Sequence, residues 1–336
     1  MTRSTTAIGY RANLPVTNEQ AFVTEEVPVP ELKPHDLLVE VEAVSVNPVD
    51  VKQRAGSRPN GLRVLGYDAA GTVVEVGDAV TLFRIGDEVF YAGAIDRPGT
   101  NQRLHPVDER IVGGKPASLS FADAASLPLT AITAWESLFD RLALTPDAAG
   151  TLLVVGATGG VGSVLIQLAK ALLPGVTIIA TASDPEREAW VRELGADHTV
   201  DHRQGWEKQV AAIAPDGVQW IFTAHSKDQI PAYGQVIAPF GHIVAIDDGP
   251  RDVAPLKGKS ASWHWELMFT RSRLQTPDLV EQHRLLGRVA GLVDEGRLRA
   301  TTSTTLSPIN AENLREAHRL VETGRTIGKV VLAGWE

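Results

Sequence analysis

The stretch TLLVVGATGGVGSVLIQLAK, Thr151–Lys170, constrains this chain more than any other. An apolar run, Leu152–Val155, passes through Gly156, Gly159, Gly160 and Gly162 into a helical pattern of apolar residues. A strand followed by clustered glycines and a helix lets backbone approach a pyrophosphate at the helix N-terminus, where N–H groups are free and the dipole is positive. The spacing Ala157-x-Gly159-x-x-Gly162 is the dinucleotide fingerprint with alanine in its first slot. Ala157, Thr158, Gly159, Gly160, Val161 and Gly162 are therefore the candidate cofactor loop.

The segments around it alternate strand and helix. TIIATAS precedes DPEREAWVRELG, and further apolar runs follow at VQWIFTA and HIVAID. Continuous apolar strands alternating with helices predict a parallel α/β sheet covered on both faces. The first 125 or so residues read differently. LLVEVEAVSVN alternates apolar and polar residues, and Gly77-Asp78 and Gly86-Asp87 punctuate further strands, so this part is β-rich. A helix is expected to start at Ser120 with Asp123. Near Ser262 the pattern turns mixed, with a tryptophan-rich loop, two helices and a last strand, GKVVLAG.

About 20 residues beyond the fingerprint, an acid usually accepts the ribose hydroxyls of NAD. Here that place is near Ala182, followed by Ser183, with Arg187 a turn away. A hydroxyl and a guanidinium in place of an acid favour the 2′-phosphate of NADPH. His202 and Arg203 add to the same sheet edge after the third strand, while Asp184, before Pro185, reads as a helix N-cap.

With 336 residues, the chain exceeds what one core usually holds, so two domains are expected. Net charge is −9, which disfavours nucleic acid and anionic membrane surfaces as partners. The absence of cysteine rules out disulfides, thiolate zinc sites and cysteine nucleophiles. No signal-peptide core and no run of ~18 apolar residues is visible, so a cytoplasmic location is expected.

SVNPVDVKQRAG (Ser45–Gly56), LGYDAAGTVVEVGDAVTLFRIGDEV (Leu65–Val89), LPLTAITAWESL (Leu127–Leu138) and the glycine loop occur in the order of the medium-chain dehydrogenase/reductase superfamily, which the chain resembles. The C-terminal segments resemble the branch often labelled zinc-type alcohol dehydrogenase-like, and the nearest functional relatives are the zinc-independent quinone oxidoreductases. The resemblance implies a GroES-like catalytic domain of residues 1–125 and 262–336 and a Rossmann domain of residues 126–261. It places the active site in a cleft between them and implies a homodimer, for which GHIVAID is a candidate edge.

In zinc members, a His-Glu pair stands where this chain has Tyr67-Asp68, and cysteines complete the site; no metal is expected here. His264 and Glu266 lack companions at ligand spacing. Reduction of a quinone or an α,β-unsaturated carbonyl needs no Lewis acid, because the charge arriving with hydride moves to a distant oxygen. The matched motifs suggest Asn47 as a donor to carboxamide or substrate and Asp50 as an orienting group. Lys52 stands where many quinone reductases have tyrosine, and Tyr67 is a second proton-donor candidate. Thr130, Thr133 and Phe240 are expected beside the nicotinamide, and Trp263 and Trp265 at a cleft wall or dimer contact. The leading expectation is an NADPH-dependent reductase of quinones or enones. A non-catalytic NADPH-binding protein and a zinc alcohol dehydrogenase are the alternatives.

Overall fold

The computed structural model describes residues 3–56 and 58–336. It divides into two units, Met1–Ile132 with Phe269–Glu336, and Thr133–Met268.

In the first unit, the eleven-residue strand Asp36–Val46 is the spine of a seven-stranded sheet. It pairs antiparallel with Ala69–Val76 on one side and with the C-terminal strand Lys329–Ala333 on the other, and Leu104–Asp108 also joins it. The alternation in LLVEVEAVSV thus becomes a strand with Leu37, Leu38, Val39, Val41 and Val44 all buried. Ser4–Tyr10, Val23–Pro28 and Arg63–Val64 make a separate three-stranded sheet. Ser120 caps the helix Phe121–Ala125 by accepting from the Asp123 N–H, as its sequence predicts.

The second unit holds a six-stranded parallel sheet. Its order is His198–Val200, Gly175–Thr181, Ala149–Val155, Val218–Thr223, Ile237–Ala245, Ser262–Trp265. Helices Gly160–Leu172, Pro185–Glu193, Trp206–Ile213 and Ile230–Val236 alternate with the strands. Leu153, Ile179, Ile221 and Ile243 pack with Trp206, Val210 and Tyr233 in its core.

Three boundary expectations change. The tryptophan-rich segment is not a loop of the catalytic domain but the edge strand Ser262–Trp265, with Ile243 opposite Trp263 and Val244 opposite His264. The second unit therefore runs to Met268. GHIVAID accordingly lies inside the sheet, and the edge belongs to the strand carrying Trp263 and Trp265. The other boundary falls within the helix Pro128–Trp135 rather than ahead of it, because that helix continues without a break into a π-helical segment, Glu136–Arg141.

Among the described residues, no helix is long and apolar enough to cross a membrane. One polar side chain is buried at a cost. His318, in the helix Ala311–Glu322, is fully buried against Phe22 at 4.7 Å between ring centroids, and neither ring nitrogen has a hydrogen-bond partner. Burial, reinforced by the Arg54 charge, pushes its pKa down to about 3. Below pH ~6.5 the unfolded chain takes up a proton that the folded protein refuses, so this group makes stability fall on acidification, by up to about 1.4 kcal/mol per pH unit. His318→Leu is expected to be no less stable at pH 7 and to lose that slope between pH 6 and 4. Denaturant titrations of both proteins across that range check it.

Candidate functional site

The glycine loop leaves strand Ala149–Val155 at its carboxyl end. Gly156 has φ 80°, which a side chain would strain. At Gly162 an added Cβ would lie 2.5 Å from the Gly156 carbonyl oxygen and 2.6 Å from the Ala157 Cα, so glycine is needed to seat the helix on the loop. Gly159 is the N-cap of Gly160–Leu172, and no side chain caps that helix. The chemistry that suits such an end is an anion.

Two hydroxyls that the sequence did not single out hold this loop. Thr181 Oγ1 accepts from the Gly156 N–H at 3.1 Å, and Ser163 accepts from the Trp190 indole N–H at 2.9 Å while donating to the Thr158 carbonyl. On the other side of the glycine strand, Thr223 Oγ1 accepts from the His225 N–H and bonds the Tyr233 hydroxyl at 2.8 Å, which fixes the turn beside Gly156. Ser226 is bound in turn through its N–H and hydroxyl to Asp247, which also pairs with Arg251 at 2.7 Å. A hydroxyl at the end of a strand is a weak signal in sequence, since its partner lies on a neighbouring strand.

Ser183 and Arg187 follow strand Gly175–Thr181, and His202 and Arg203 follow His198–Val200, so parallel pairing brings all four to adjacent strand ends. Asp184 is the N-cap, accepting from the Arg187 N–H at 3.0 Å, and its carboxylate also holds the Arg187 guanidinium at 2.5 Å. Those contacts keep Asp184 below its ordinary pKa. Arg203 pairs with Asp201 at 3.2 Å, and His202 is exposed.

Phe240 is a correction. It bulges from strand Ile237–Ala245 with φ 63° and is 75% exposed. His242, two residues on, is level with Trp220 and Leu152, so Phe240 lies at the amino end of the sheet, opposite the glycine loop. Thr130 lies in the helix Pro128–Trp135. Its buried hydroxyl donates to the Leu127 carbonyl at 2.9 Å. Thr133 is buried in the same helix.

In the first unit, Asn47, Asp50 and Tyr67 meet around Asp68. Asp68 is fully buried, and its carboxylate accepts four bonds: from Ser45 Oγ and Asn47 Nδ2 at 2.8 Å each, from Lys329 Nζ at 3.0 Å, and from the Leu129 N–H at 2.7 Å. The last places its charge at the start of helix Pro128–Trp135, where an anion is favoured. The Lys329 ammonium also donates to Asn47 Oδ1 and to the Val46 carbonyl, so all three of its protons are used. Both ends of the Asn47 amide are thereby committed. One of its two Nδ2–H donors goes to Asp68, which fixes the side chain in place.

Asp50 accepts from the N–H groups of Asn47 and Gly66 at 2.8 and 2.9 Å. Burial, with Asp68 nearby, raises its pKa to about 7. Tyr67 packs edge-on against Phe269 at 5.3 Å, and burial, then the Asp50 charge, pushes its phenol up to about 12. Lys52 lies on the exposed side of helix Pro48–Gly56. Lys329 was not foreseen; it is 261 residues from Asp68 in the chain.

A zinc ion does not fit this constellation. Asp68 Oδ2 already accepts three hydrogen bonds, an ammonium already neutralises the carboxylate, and its neighbours are amide, hydroxyl and carbonyl groups rather than the imidazole and thiolate that zinc takes. Among the described residues, no three His, Cys, Asp or Glu side chains gather as a metal site.

Residues 33–128 match the alcohol dehydrogenase GroES-like domain, and residues 194–332 match the zinc-binding dehydrogenase family. A zinc-type alcohol dehydrogenase-like protein of Staphylococcus aureus strain COL is 37% identical over 97% of this chain and 98% of its own length. The chain is a medium-chain dehydrogenase/reductase of the zinc-independent, quinone-oxidoreductase-like branch. A solved protein of Rhizobium etli CFN 42 is 50% identical, with a TM-score of 0.96 and both chains covered in full. A 2-methylene-furan-3-one reductase of Solanum lycopersicum is 30% identical over 91% of this chain and 74% of its own. This medium-chain dehydrogenase/reductase is an oxidoreductase of a family that uses nicotinamide cofactors. Its fold pairs a GroES-like unit with a Rossmann unit.

Lys329→Met removes the one cation from a buried carboxylate and is expected to destabilise the protein by about 3–5 kcal/mol. Lys329→Met with Asp68→Asn is expected to recover a large part of that, and a double-mutant cycle from denaturant unfolding checks it. Asp50 has the opposite pH sign to His318. The folded protein keeps its proton up to about pH 7 whereas the unfolded chain releases it near 4, so stability falls as pH rises between those values. Asp50→Asn is expected to remove that slope in the same titrations.

Proposed function

We propose that this protein reduces quinones or α,β-unsaturated carbonyls by direct hydride transfer from NADPH. The observation that carries the reading is the commitment of Asp68 to Lys329 in the slot where zinc relatives place a metal ligand. Without a Lewis acid, alkoxide stabilisation is lost, but an electron-poor conjugated acceptor does not need it. The reduction of a conjugated ketone named for the Solanum lycopersicum relative supports the same substrate class.

For the cofactor, Ser183, Arg187, His202 and Arg203 offer hydroxyl, guanidinium and imidazole groups at adjacent strand ends, and no acid stands at Ala182 or Ser183. Asp184 holds Arg187 near the strand end, so a 2′-phosphate would share a guanidinium that is already oriented. The glycine loop binds the pyrophosphate. The role of the Asp68–Lys329 group is to hold Tyr67, Asn47 and the start of helix Pro128–Trp135 in fixed geometry. Tyr67, with its phenol protonated across the neutral range, is the hydrogen-bond donor of that unit.

The reading is tested with a panel of quinones and enones assayed with NADPH and NADH, with and without a chelator. NADPH consumption with at least one acceptor, unchanged by the chelator, is expected; no consumption with any of them overturns it. Arg187→Ala is expected to raise KM for NADPH about tenfold, equivalent to about 1.4 kcal/mol, and to leave KM for NADH nearly unchanged.

A further inference from the structure

The glycine strand Ala149–Val155 lies inside its sheet, with Gly175–Thr181 and His198–Val200 on one side and Val218–Thr223, Ile237–Ala245 and Ser262–Trp265 on the other. A dinucleotide straddles such a sheet where the strand order turns, with its pyrophosphate at the helix N-terminus. Ser183 and Arg187 follow Gly175–Thr181, so a 2′-phosphate held by them puts the adenosine half on that side. The nicotinamide half then crosses to the side of Val218–Thr223. There, beside the glycine loop, stands His225.

The backbone fixes its position from both directions. Thr223 is level with Val155, and the Ala224 N–H still bonds the Val155 carbonyl at 3.1 Å. One residue on, the His225 N–H donates to Thr223 Oγ1 at 3.0 Å, and the His225 carbonyl accepts from the Tyr233 hydroxyl at 3.1 Å. Ser226 is anchored to Asp247 through its N–H at 2.8 Å and its hydroxyl at 2.6 Å. The imidazole lies against the loop itself. A Cβ placed on Gly156 would be 3.2 Å from His225 Cδ2 and 3.5 Å from Nε2, so the ring fills the space that a side chain at Gly156 would take. His225 is nonetheless exposed.

The loop brings no cation of its own. Gly156–Gly162 contains no Lys or Arg, and the basic residue of helix Gly160–Leu172 is Lys170, in its last turn. Arg187 and Arg203 belong to the adenosine side. Arg251, on the nicotinamide side, is drawn back onto the Ser226 hydroxyl, Asp247 and the carbonyls of Pro250 and Asp248. An imidazole keeps at least one N–H in either protonation state, and a phosphate oxygen is a strong acceptor for it.

We propose that His225 binds the phosphate of the cofactor's nicotinamide half, donating an N–H to it across Gly156. The inference rests on the dinucleotide reading of the glycine loop and on the side assigned above to the 2′-phosphate. Arg187 and His225 then hold the cofactor from opposite sides of the glycine strand. The first selects the phosphate on the ribose. The second fixes the pyrophosphate over the strand end, and with it the direction in which the nicotinamide leaves the loop.

Calorimetric titrations of the whole protein with three ligands test this. NADPH carries the full dinucleotide. Adenosine 2′-phosphate 5′-diphosphate keeps both phosphates of the bridge and lacks the nicotinamide riboside. Adenosine 2′,5′-bisphosphate lacks the second bridge phosphate as well. His225→Ala is expected to raise the Kd of the first two about tenfold, the effect of losing one hydrogen bond to a charged group, and to leave the third unchanged. His225→Gln, whose amide N–H reaches about as far as Nε2, is expected to recover most of that loss. Equal losses for all three ligands would mean that the ring only supports the loop, and a loss confined to NADPH would place the contact beyond the phosphates. Either result, or no loss at all, overturns the proposal. No acceptor is present, so the outcome is independent of the substrate class. A parent that takes NADH in preference to NADPH ends the 2′-phosphate assignment, and the same series with NADH, ADP and AMP then decides the role of His225.

Discussion

The GroES-like unit is organised around one buried ion pair, Asp68 with Lys329. A carboxylate taken out of water costs several kcal/mol unless its lone pairs and its charge are both answered. Here an ammonium, an amide, a hydroxyl and a backbone N–H answer them. The donors come from the end of the spine strand, from the last strand and from the helix that starts at Pro128. Three elements far apart in the chain are thus tied to one side chain. The geometry of Tyr67 and Asn47 follows from that tie.

The same pair sets a buried carboxylate beside an ammonium, where a zinc site would use imidazole and thiolate. A metal ion between ligands supplies positive charge at a fixed point. An ammonium supplies it too, but with three directed protons and no open coordination position. The chemistry left to such a site is hydrogen bonding and positioning, which suits an acceptor that carries its own electron sink.

The Rossmann unit solves a different problem, that of leaving a helix N-terminus free for an anion without letting the loop collapse. Gly162 lets the helix sit close on Ala157, and Thr181, Ser163 and the Thr223–Tyr233 pair hold the flanking turns by hydrogen bonds from neighbouring strands. Farther along the same edge, buried Glu266 pairs with Arg141, the last residue of a segment whose helix departs from α geometry.

The sequence alone determined whatever depends on local spacing. The glycine loop, the Ser120 and Asp184 caps, the strand–helix alternation and the lack of thiols could all be read from neighbours within a few residues, because backbone geometry and capping act at that range. Only the tertiary structure decided which side chains answer one another. Lys329 reaches Asp68 and Thr181 holds Gly156 because strand order and register bring them together. Phe240 failed as a cofactor contact for the same reason. Its position depends on which end of a parallel strand it occupies, and a bulge near the start of that strand puts it at the wrong end. Burial then sets the chemistry, since a carboxyl is an ordinary surface acid until the fold removes its water and chooses its partner.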